Sequence, residues 1–254
     1  MSASAHKPPV VPYRHSKLSK KAQVAQMFNE IAGRYDLLNR LLSAGIDVQW
    51  RKKAIRLLAD VQPQRILDVA TGTADVALLL ARNYPQAQII GVDIAAQMLE
   101  LGRQKLIQAG LQDRIRLQLA DAETLPFPDN SFDAVMVAFG VRNFENLNTG
   151  LKEMLRVLKP GGKAVILEFS YPNSFPIKQL YHLYFRYITP IIGKWLAHHR
   201  EAYQYLPESV SAFPYGQQMV DRLTEIGYQQ VTCRKYSFGI CSVYCGYKNT
   251  PHSS

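Results

Sequence analysis

The chain has 254 residues, of which 47% are hydrophobic, enough for one α/β domain with a full core. Its first 23 residues lack the apolar segment of a signal peptide, and no stretch reaches the roughly 18–20 apolar residues that a membrane span needs. The formal net charge is +10, with +7 in residues 1–53 and +4 in residues 174–200. These two segments are either solvated surfaces or surfaces that attract anionic lipid or nucleic acid.

The hydrophobic pattern predicts the elements in chain order. Residues 1–20 are rich in Pro, Ser and Lys and predict a flexible basic tail, which leaves 21–254 as a single domain. N-terminal helices are predicted within residues 21–60, over 21–34 and 37–60. The core elements that follow are strand 65–70, helix 74–83, strand 88–92, helix 95–109, strands 114–119 and 132–138, helix 147–157 and strand 162–169. Buried strands alternating with helices are typical of a parallel sheet with helices on both faces.

The last third of the chain departs from this alternation. Residues 171–214 are predicted to be an insertion that faces substrate and membrane. An aromatic-rich segment between residues 170 and 200 is divided by Pro190 into two predicted helices. A helix at 215–226 precedes two strands, which a tight turn near Gly239 joins into a hairpin, so the last strand should run antiparallel to the others. The three cysteines lie in this region, and their spacing fits neither a disulfide framework nor a zinc site. We expect reduced cysteines in a cytoplasmic protein, and no metal.

Residues 65–75, RILDVATGTAD, are the most informative stretch. A buried strand ends near Asp68, turns through a loop containing Gly72 and Thr73, and enters a helix. Such a turn presents free backbone N–H groups to a nucleotide-like ligand. A dinucleotide fold would show GxGxxG, but Ala70 and Ala74 stand at alternating positions here, so the glycine pattern is degenerate.

Two further acidic strand ends decide between cofactors. Asp93 ends the second strand, where a carboxylate can accept hydrogen bonds from both ribose hydroxyls. Asp121 and Ala122 follow the third strand. There a carboxylate can accept a hydrogen bond from the exocyclic amine of adenine, and the Ala122 N–H can face a ring nitrogen. Each aspartate could instead simply cap a turn or helix. Three carboxylates at one sheet edge would serve the pyrophosphate of NAD(P) poorly and the sulfonium of S-adenosyl-L-methionine well.

The order of elements, with its antiparallel last strand, resembles the seven-stranded, Rossmann-like class I methyltransferase fold. In that family the first acid contacts the turn, the second binds ribose and the third flanks adenine. Asp68, Asp93 and Asp121 match those three positions. Taken with the loop, the residues assigned to the cofactor are Tyr35, Asp68, Gly72, Thr73, Asp93, Asp121, Ala122 and Ala138.

Three longer blocks narrow the family. They are YDLLNRLLSAGIDVQW at 35–50, LPFPDNSFDAVMVAFGVRN at 125–143 and RVLKPGGKAVILEFS at 156–170. From about residue 21 to residue 248 the chain resembles the ubiquinone/menaquinone biosynthesis C-methyltransferases. It departs from them at Asp47, often His in that family, at Ala74, often Gly, and at Ala138, where some members carry Ser.

The resemblance implies methylation of a ring carbon of a polyprenyl quinol, with demethylmenaquinol as the preferred acceptor and a methoxy-polyprenyl-benzoquinol as the alternative. We assign Arg142 and Asn143 to orienting and acidifying the quinol hydroxyl, although a purely structural turn is the alternative. Arg142 is too basic to act as a base itself, so a water that it holds would accept the ring proton. Tyr35, Asp36 and Asn39 are expected to cover the site from the N-terminal helices, or else to be helix caps and packing residues.

The insertion suggests a place for the prenyl tail. An apolar stripe with interspersed basic residues at 175–199 is typical of an amphipathic segment at a membrane surface, or of an ordinary core helix. Its Tyr184 is a candidate substrate contact together with Asn39. The block AYQYLPESVSAFP at 202–214 also resembles the family and adds Tyr203, Tyr205 and Glu208 as candidates.

We therefore expect a cytoplasmic enzyme that associates peripherally with an anionic membrane. The charge of +10 keeps a nucleic-acid methyltransferase or binder as an alternative, but the chain contains no Asn-Pro-Pro-Tyr-like motif and no appended nucleic-acid module. A non-catalytic cofactor-binding scaffold is the second alternative. We expect no nucleic-acid partner, and a homo-oligomer is left open.

Overall fold

A computed structural model of the chain describes residues 10–43, 45–172, 175–176, 178–179, 183 and 200–250. The described residues form one seven-stranded sheet and flanking helices. The strands are β1 (Arg65–Val69), β2 (Gln88–Asp93), β3 (Ile115–Leu119), β4 (Phe132–Ala138), β5 (Leu158–Phe169), β6 (Gln229–Tyr236) and β7 (Cys241–Tyr247). The helices are α1 (Lys20–Ser43), α2 (Ile46–Ile55), α3 (Asp75–Asn83), α4 (Ala96–Ala109), α5 (Leu147–Val157), α6 (Arg200–Ala212) and α7 (Gln217–Ile226).

The strand order is β3-β2-β1-β4-β5-β7-β6. Strands β1 to β5 pair in parallel, while β7 runs antiparallel to both β5 and β6. This confirms the predicted class I methyltransferase-like sheet and its antiparallel last strand. The parallel strands place their carboxyl ends at one edge, which is where open α/β sheets bind ligands.

The core lies in two layers, one on each face of the sheet. Trp50, Leu58, Leu80 and Leu99 belong to the apolar cluster that packs α2, α3 and α4 on one face. The other cluster contains side chains of α5 and α7, among them Leu151. Because the central strands are covered on both faces, β4 is apolar at every position from Ala134 to Ala138 rather than at alternate positions.

The N-terminal helices differ from the prediction. The sequence predicted a break between residues 34 and 37, but α1 continues without interruption to Ser43. The chain turns instead at Gly45, whose φ of 76° is readily adopted by glycine. Helix α2 follows and ends in a 3-10 turn over Arg56–Val61. The prediction failed because no proline or glycine lies between residues 34 and 37, so nothing there stops a helix.

The predicted boundaries of the core agree with the structure to within a residue or two, with one larger difference. Strand β5 begins at Leu158, four residues before the predicted start, and its pairing with β4 shifts register between Phe132 and Ala134. The β6–β7 connection is a 3-10 turn over Ser237–Gly239. All three cysteines are free and lie on the last two strands. The two helices predicted around Pro190 fall outside the described residues.

Candidate active site

The turn from β1 to α3 is built from residues with left-handed backbone. Ala70, Gly72 and Ala74 have φ angles of 53°, 57° and 65°. This conformation is ordinary for glycine and costs an alanine about 1–2 kcal/mol, so packing must hold the two alanines there. Space beside Ala70 is fully used, since a Cβ on Gly140 would lie 2.5 Å from the Ala70 Cβ. The turn is therefore a firmly held backbone surface at the carboxyl edge of the sheet.

Asp93 ties the end of β2 to this turn. Its Oδ2 accepts a hydrogen bond from the Gly72 N–H at 2.8 Å, and its Oδ1 accepts one from the Ala95 N–H at 2.9 Å. Burial raises the pKa of Asp93, and the backbone donors oppose that rise. Both oxygens keep acceptor capacity toward the adjacent cavity, an arrangement suited to a pair of hydroxyl donors.

Asp121 lies at the next strand end and already has a cationic partner. Its Oδ1 accepts a hydrogen bond from the Glu123 N–H at 2.9 Å, and its Oδ2 lies 2.5 Å from the Nζ of Lys21. Lys21 is in the first turn of α1 and was not predicted as a site residue, because a pair of lysines at a helix start gives no sign of the carboxylates that it meets in the fold. Ala122 lines the cavity beside Asp121.

Asp68 is placed beneath the turn rather than at the cavity. The Thr71 Oγ1 donates a hydrogen bond of 2.6 Å to its Oδ2, and the side chain is buried. Burial raises the pKa of Asp68 to about 7. Of the three carboxylates expected in one cleft, the described cavity wall therefore presents two. Glu123 and Glu145, which sequence reasoning did not single out, also line it.

Thr73 belongs to a group of mostly charged side chains on the far side of the turn. We call this group the Lys105 cluster; its members are Asp36, Asp47, Arg51, Thr73, Asp75 and Lys105. The Nζ of Lys105 lies 2.5 Å from Asp36, 2.6 Å from Asp75 and 2.8 Å from the Thr73 Oγ1. Arg51 joins Asp47, at 2.9 Å, to Asp75, at 3.6 Å. The Lys105 cluster thus links α1, α2, α3 and α4 around the turn.

Tyr35 precedes Asp36 in α1 and is placed over the turn. Its ring would lie 3.9 Å from a Cβ on Gly72, and it lines the cavity. Ala138, at the end of β4, also lines the cavity. Tyr35 and Ala138 are thereby brought together with Gly72, Asp93, Asp121 and Ala122, as the sequence predicted for a common pocket.

Arg142 and Asn143 lie in a 3-10 turn after β4 and face different surroundings. The Arg142 Nη1 donates to the Glu168 Oε1 and to the Phe139 carbonyl, each at 2.6 Å, and the guanidinium stacks 5.5 Å from the Phe169 ring centre. Glu168 is fully buried, and burial raises the pKa of its carboxyl while Arg142 opposes the rise. Asn143 lines the cavity, whereas Arg142 is not part of the described wall.

Of the residues expected to contact the substrate, the structure describes the side chains of Tyr205 and Glu208, and neither is part of the cavity wall. Tyr205 is buried, and its hydroxyl donates to the Asn143 Oδ1 at 3.1 Å. Glu208 pairs with Arg14 near the N-terminus. Tyr184 and the side chains of Asn39 and Tyr203 lie outside the part of the chain that the structure describes.

A cavity that opens to solvent lies between α1 and the carboxyl edge of the sheet, which is where open α/β sheets bind ligands. Its wall combines the ribose-type acceptor Asp93 and the amine-type acceptor Asp121 with apolar side chains such as Val24, Phe28 and Met98. Asp75 in the first turn of α3 places a negative charge at the helix N-terminus, where a pyrophosphate would otherwise bind. These residues fit a nucleoside without phosphate, as in S-adenosyl-L-methionine.

The sheet order, the β1–α3 turn and the two acidic strand ends together define a class I, S-adenosylmethionine-dependent methyltransferase. Residues 16–248 match the ubiE/COQ5 methyltransferase family, and the chain belongs to that family. This confirms the resemblance, the C-methyltransferase class and the cofactor predicted from the sequence.

The relatives are similar over nearly their whole length. The chain is 47% identical to the demethylmenaquinone methyltransferase of Bacteroides fragilis, covering 90% of this chain and 94% of that protein. It is 45% identical to the demethylmenaquinone methyltransferase of Porphyromonas gingivalis, with coverages of 94% and 98%. The ubiquinone/menaquinone biosynthesis C-methyltransferase UbiE of Geobacter sulfurreducens is 45% identical, with 91% of both chains covered.

Solved structures agree in fold alone. An S-adenosylmethionine-dependent methyltransferase from Thermotoga maritima has a TM-score of 0.61 at 18% identity and covers 88% of this chain and 99% of its own. A related protein from Methanococcus maripaludis has a TM-score of 0.62 at 19% identity, with coverages of 90% and 96%. In the described ranges, no helix is long and apolar enough to cross a bilayer, and no three metal-ligating side chains form a cluster there.

Proposed function

We propose that the chain methylates a ring carbon of a polyprenyl hydroquinone, with demethylmenaquinol as its acceptor and menaquinol as its product. The assignment of this substrate rests on the 45–47% identity, over at least 90% of the chain, to two proteins named demethylmenaquinone methyltransferase. The cavity supports the cofactor part of the proposal, because Asp93 and Asp121 offer acceptors matched to ribose and adenine at the required edge of the sheet.

The cofactor would be held by Asp93 at its ribose, by Asp121 and Ala122 at its adenine, and by the Gly72 turn under Tyr35. When bound, it supplies an electrophilic methyl group on a positively charged sulfur. Thr73 and Asp68 would act on the cofactor through the shape of the turn, because Thr73 belongs to the Lys105 cluster and Asp68 lies beneath Thr71.

The acceptor must be the reduced hydroquinone, since a quinone ring is itself electrophilic. Ionisation of one hydroxyl raises the electron density at the adjacent carbon, and a hydrogen-bond donor at that oxygen favours the ionised form. Asn143, on the cavity wall, would supply the donor. Arg142 lies outside the cavity wall and would act through its positive field, reduced by Glu168, while a water in the cavity would accept the ring proton.

A methoxy-polyprenyl-benzoquinol is the second candidate acceptor. It is favoured by the relative from Geobacter sulfurreducens, whose name includes both ubiquinone and menaquinone biosynthesis. Both acceptors present an ionisable hydroxyl beside the reacting carbon, so the same donors would serve either. The proposal therefore commits to quinol C-methylation as the reaction and to demethylmenaquinol as the better acceptor.

We further propose that the enzyme works at the surface of an anionic membrane, where the prenyl tail of its substrate is anchored. The charge of +7 on residues 1–53 and of +4 on residues 174–200 supports this placement. Sedimentation with vesicles that contain anionic lipid should exceed sedimentation with neutral vesicles and should fall as salt rises. Stronger salt-dependent binding to DNA or RNA than to anionic vesicles would instead favour the nucleic-acid alternative.

The decisive experiment is transfer of a labelled methyl group to each chemically reduced acceptor. Wild type should methylate demethylmenaquinol faster than the benzoquinol, and turnover of neither would contradict the proposed function. Arg142→Ala should lower turnover, provided that its folding is verified; undiminished turnover would remove only the role given to Arg142.

Asp93→Ala tests the cofactor site. We expect its dissociation constant for S-adenosylmethionine to rise by about 10- to 100-fold, the effect of losing charge-assisted hydrogen bonds. Asp133→Ala is a matched control, because Asp133 also accepts two backbone N–H bonds, from Gln64 and Arg65, but at the opposite edge of the sheet. Equal cofactor affinity in the two variants would contradict the assignment of Asp93.

A further inference from the structure

We propose that Tyr205 is a positioning residue for methyl transfer, which acts by fixing the side-chain amide of Asn143 at the cavity wall. The inference rests on the proposed function, because it deepens the part given there to Asn143. It differs from the sequence-based expectation that Tyr205 itself lines the quinol pocket.

The contact joins two residues that are 62 positions apart in the chain. The Tyr205 hydroxyl, from α6, donates to the Asn143 Oδ1 at 3.1 Å, and both side chains are buried, with 3% and 8% of their surface exposed. A buried hydrogen bond between two neutral side chains is costly to leave half-made. The pair is therefore a specific contact between the insertion and the methyl-transfer side of the cavity.

Tyr205 is held in place from α1 rather than by the cavity. Its ring packs with Val24 and Met27, and within the described part of the chain it is not a cavity-wall residue. Burial raises the pKa of Tyr205 to about 12. The hydroxyl consequently stays protonated at physiological pH and remains a donor to Asn143.

The backbone around Asn143 is fixed independently of Tyr205. The Asn143 N–H donates to the Gly140 carbonyl at 3.0 Å, and the Lys20 Nζ donates to the carbonyls of Arg142 and Phe144 at 3.2 and 2.7 Å. What remains adjustable is the rotation of the side-chain amide. A donor at its oxygen settles that rotation and leaves the two N–H groups of the amide for other acceptors.

This orientation matters because the amide N–H is the group that an ionising quinol oxygen requires. Without Tyr205 the amide can turn its oxygen toward the developing negative charge, which is repulsive. A preorganised donor contributes to the rate because no reorganisation is needed during reaction. Tyr205 would thus affect the chemical step while making no contact with cofactor or quinol.

The first test is Tyr205→Phe, which removes only the hydroxyl. We expect kcat to fall by about tenfold, the size of one lost hydrogen bond, with KM for S-adenosylmethionine within about twofold of wild type. Tyr228→Phe is the matched control, because the fully buried Tyr228 hydroxyl donates to the Leu151 carbonyl at 2.9 Å away from the cavity. Its kcat should stay within about twofold of wild type. Equal losses of kcat in the two variants would overturn the proposal.

A double-mutant cycle with Asn143→Ala separates positioning from general stabilisation. If Tyr205 acts through Asn143, Tyr205→Phe should change kcat little in the Asn143→Ala background. Additive effects would contradict the proposal. Tyr228→Phe should leave the effect of Asn143→Ala unchanged.

A readout that does not depend on turnover is the side-chain NH2 signal of Asn143 in an NMR spectrum of isotope-labelled protein, assigned by its loss in Asn143→Ala. This signal should shift in Tyr205→Phe and stay in place in Tyr228→Phe. An unshifted signal in Tyr205→Phe would contradict the positioning role, even if neither quinol were a substrate. Absence of turnover with the expected shift would contradict the proposed function alone.

Discussion

Two groups of charged side chains flank the cavity, and they are built in opposite ways. The pair of Arg142 and Glu168 is buried, with 7% and 0% of the side chains exposed, and among the described residues Arg142 is the one cationic partner of the Glu168 carboxylate. In the Lys105 cluster the side chain of Lys105 is 26% exposed and meets both Asp36 and Asp75.

The difference predicts how each group responds to substitution. A buried ion pair stabilises the fold little more than an apolar pair of similar volume would, but loss of one partner leaves an uncompensated charge in the core. Around Lys105 the side chains of the cluster are 26–29% exposed, so water and salt partly screen their charges, and the remaining members can pair again. We therefore infer that the Arg142–Glu168 pair determines whether the fold survives, whereas the Lys105 cluster adjusts the β1–α3 turn.

The largest effect is expected for Arg142→Met. The free energy of unfolding should fall by about 3–5 kcal/mol, because the buried Glu168 carboxylate loses its counter-charge. Burial already raises the pKa of Glu168 in the folded state, and removal of Arg142 should raise it further. A carboxyl with a raised folded pKa loses stability as the pH rises through that pKa, so the defect should be larger at about pH 8 than at about pH 5. Urea unfolding at both pH values measures it.

The control for Arg142→Met is the double variant Arg142→Met with Glu168→Met, which removes both charges. It should recover much of the lost stability. A double variant as unstable as Arg142→Met alone would show that packing, rather than the unpaired charge, causes the loss.

An intermediate effect is expected for Asp68→Asn. Asp68 is a buried carboxylate whose hydrogen-bond partner is a hydroxyl, and burial raises its pKa to about 7. The folded state therefore binds the proton more tightly than the unfolded state does. As the pH rises from about 5 to about 8, this group lowers the free energy of unfolding of wild type by about 2–3 kcal/mol. Asp68→Asn should abolish that part of the pH dependence. The same slope in wild type and variant would contradict the raised pKa.

The smallest effect on stability is expected for Lys105→Met. The free energy of unfolding should fall by no more than about 1 kcal/mol, and the difference from wild type should shrink between about 0.05 and 0.5 M salt. Cofactor affinity should still weaken severalfold, because Asp36 and Thr73 lose the ammonium that joins α1 to the turn. Lys105→Arg should restore part of the affinity. A salt-independent loss as large as that of Arg142→Met would remove the distinction between the two groups.

The core elements could be predicted from sequence because their signals are local. Strand β4 is apolar from Ala134 to Ala138, and helix α5 begins at an asparagine cap, with the Asn146 Oδ1 accepting from the Thr149 N–H. The predicted division between α1 and α2 was wrong by about nine residues. The only stop signal at the actual division is Gly45, and the predicted division has none. Boundaries marked by a single glycine are easily misplaced.

Site residues were predictable where the sheet brings them together. Parallel strands end at one edge, so Asp93 and Asp121 share a cavity whatever the loops do between them. Side-chain direction was not predictable in this way. Thr73 and Gly72 are neighbours, yet the Thr73 side chain faces Lys105 while the Gly72 N–H faces Asp93.

The sequence by itself determined the sheet, the cofactor-binding turn and the family, because strand periodicity and short motifs depend on neighbouring residues. Only the tertiary structure decided which side chains complete the site. Lys21 meets Asp121, Glu168 meets Arg142, and Tyr205 meets Asn143 across distances in the chain that no local pattern encodes. Two of these contacts arise when α1 and α6 pack over the carboxyl edge of the sheet, and the Glu168–Arg142 contact arises where the neighbouring strands β4 and β5 end. Burial then gives each charge or hydrogen bond its energetic weight.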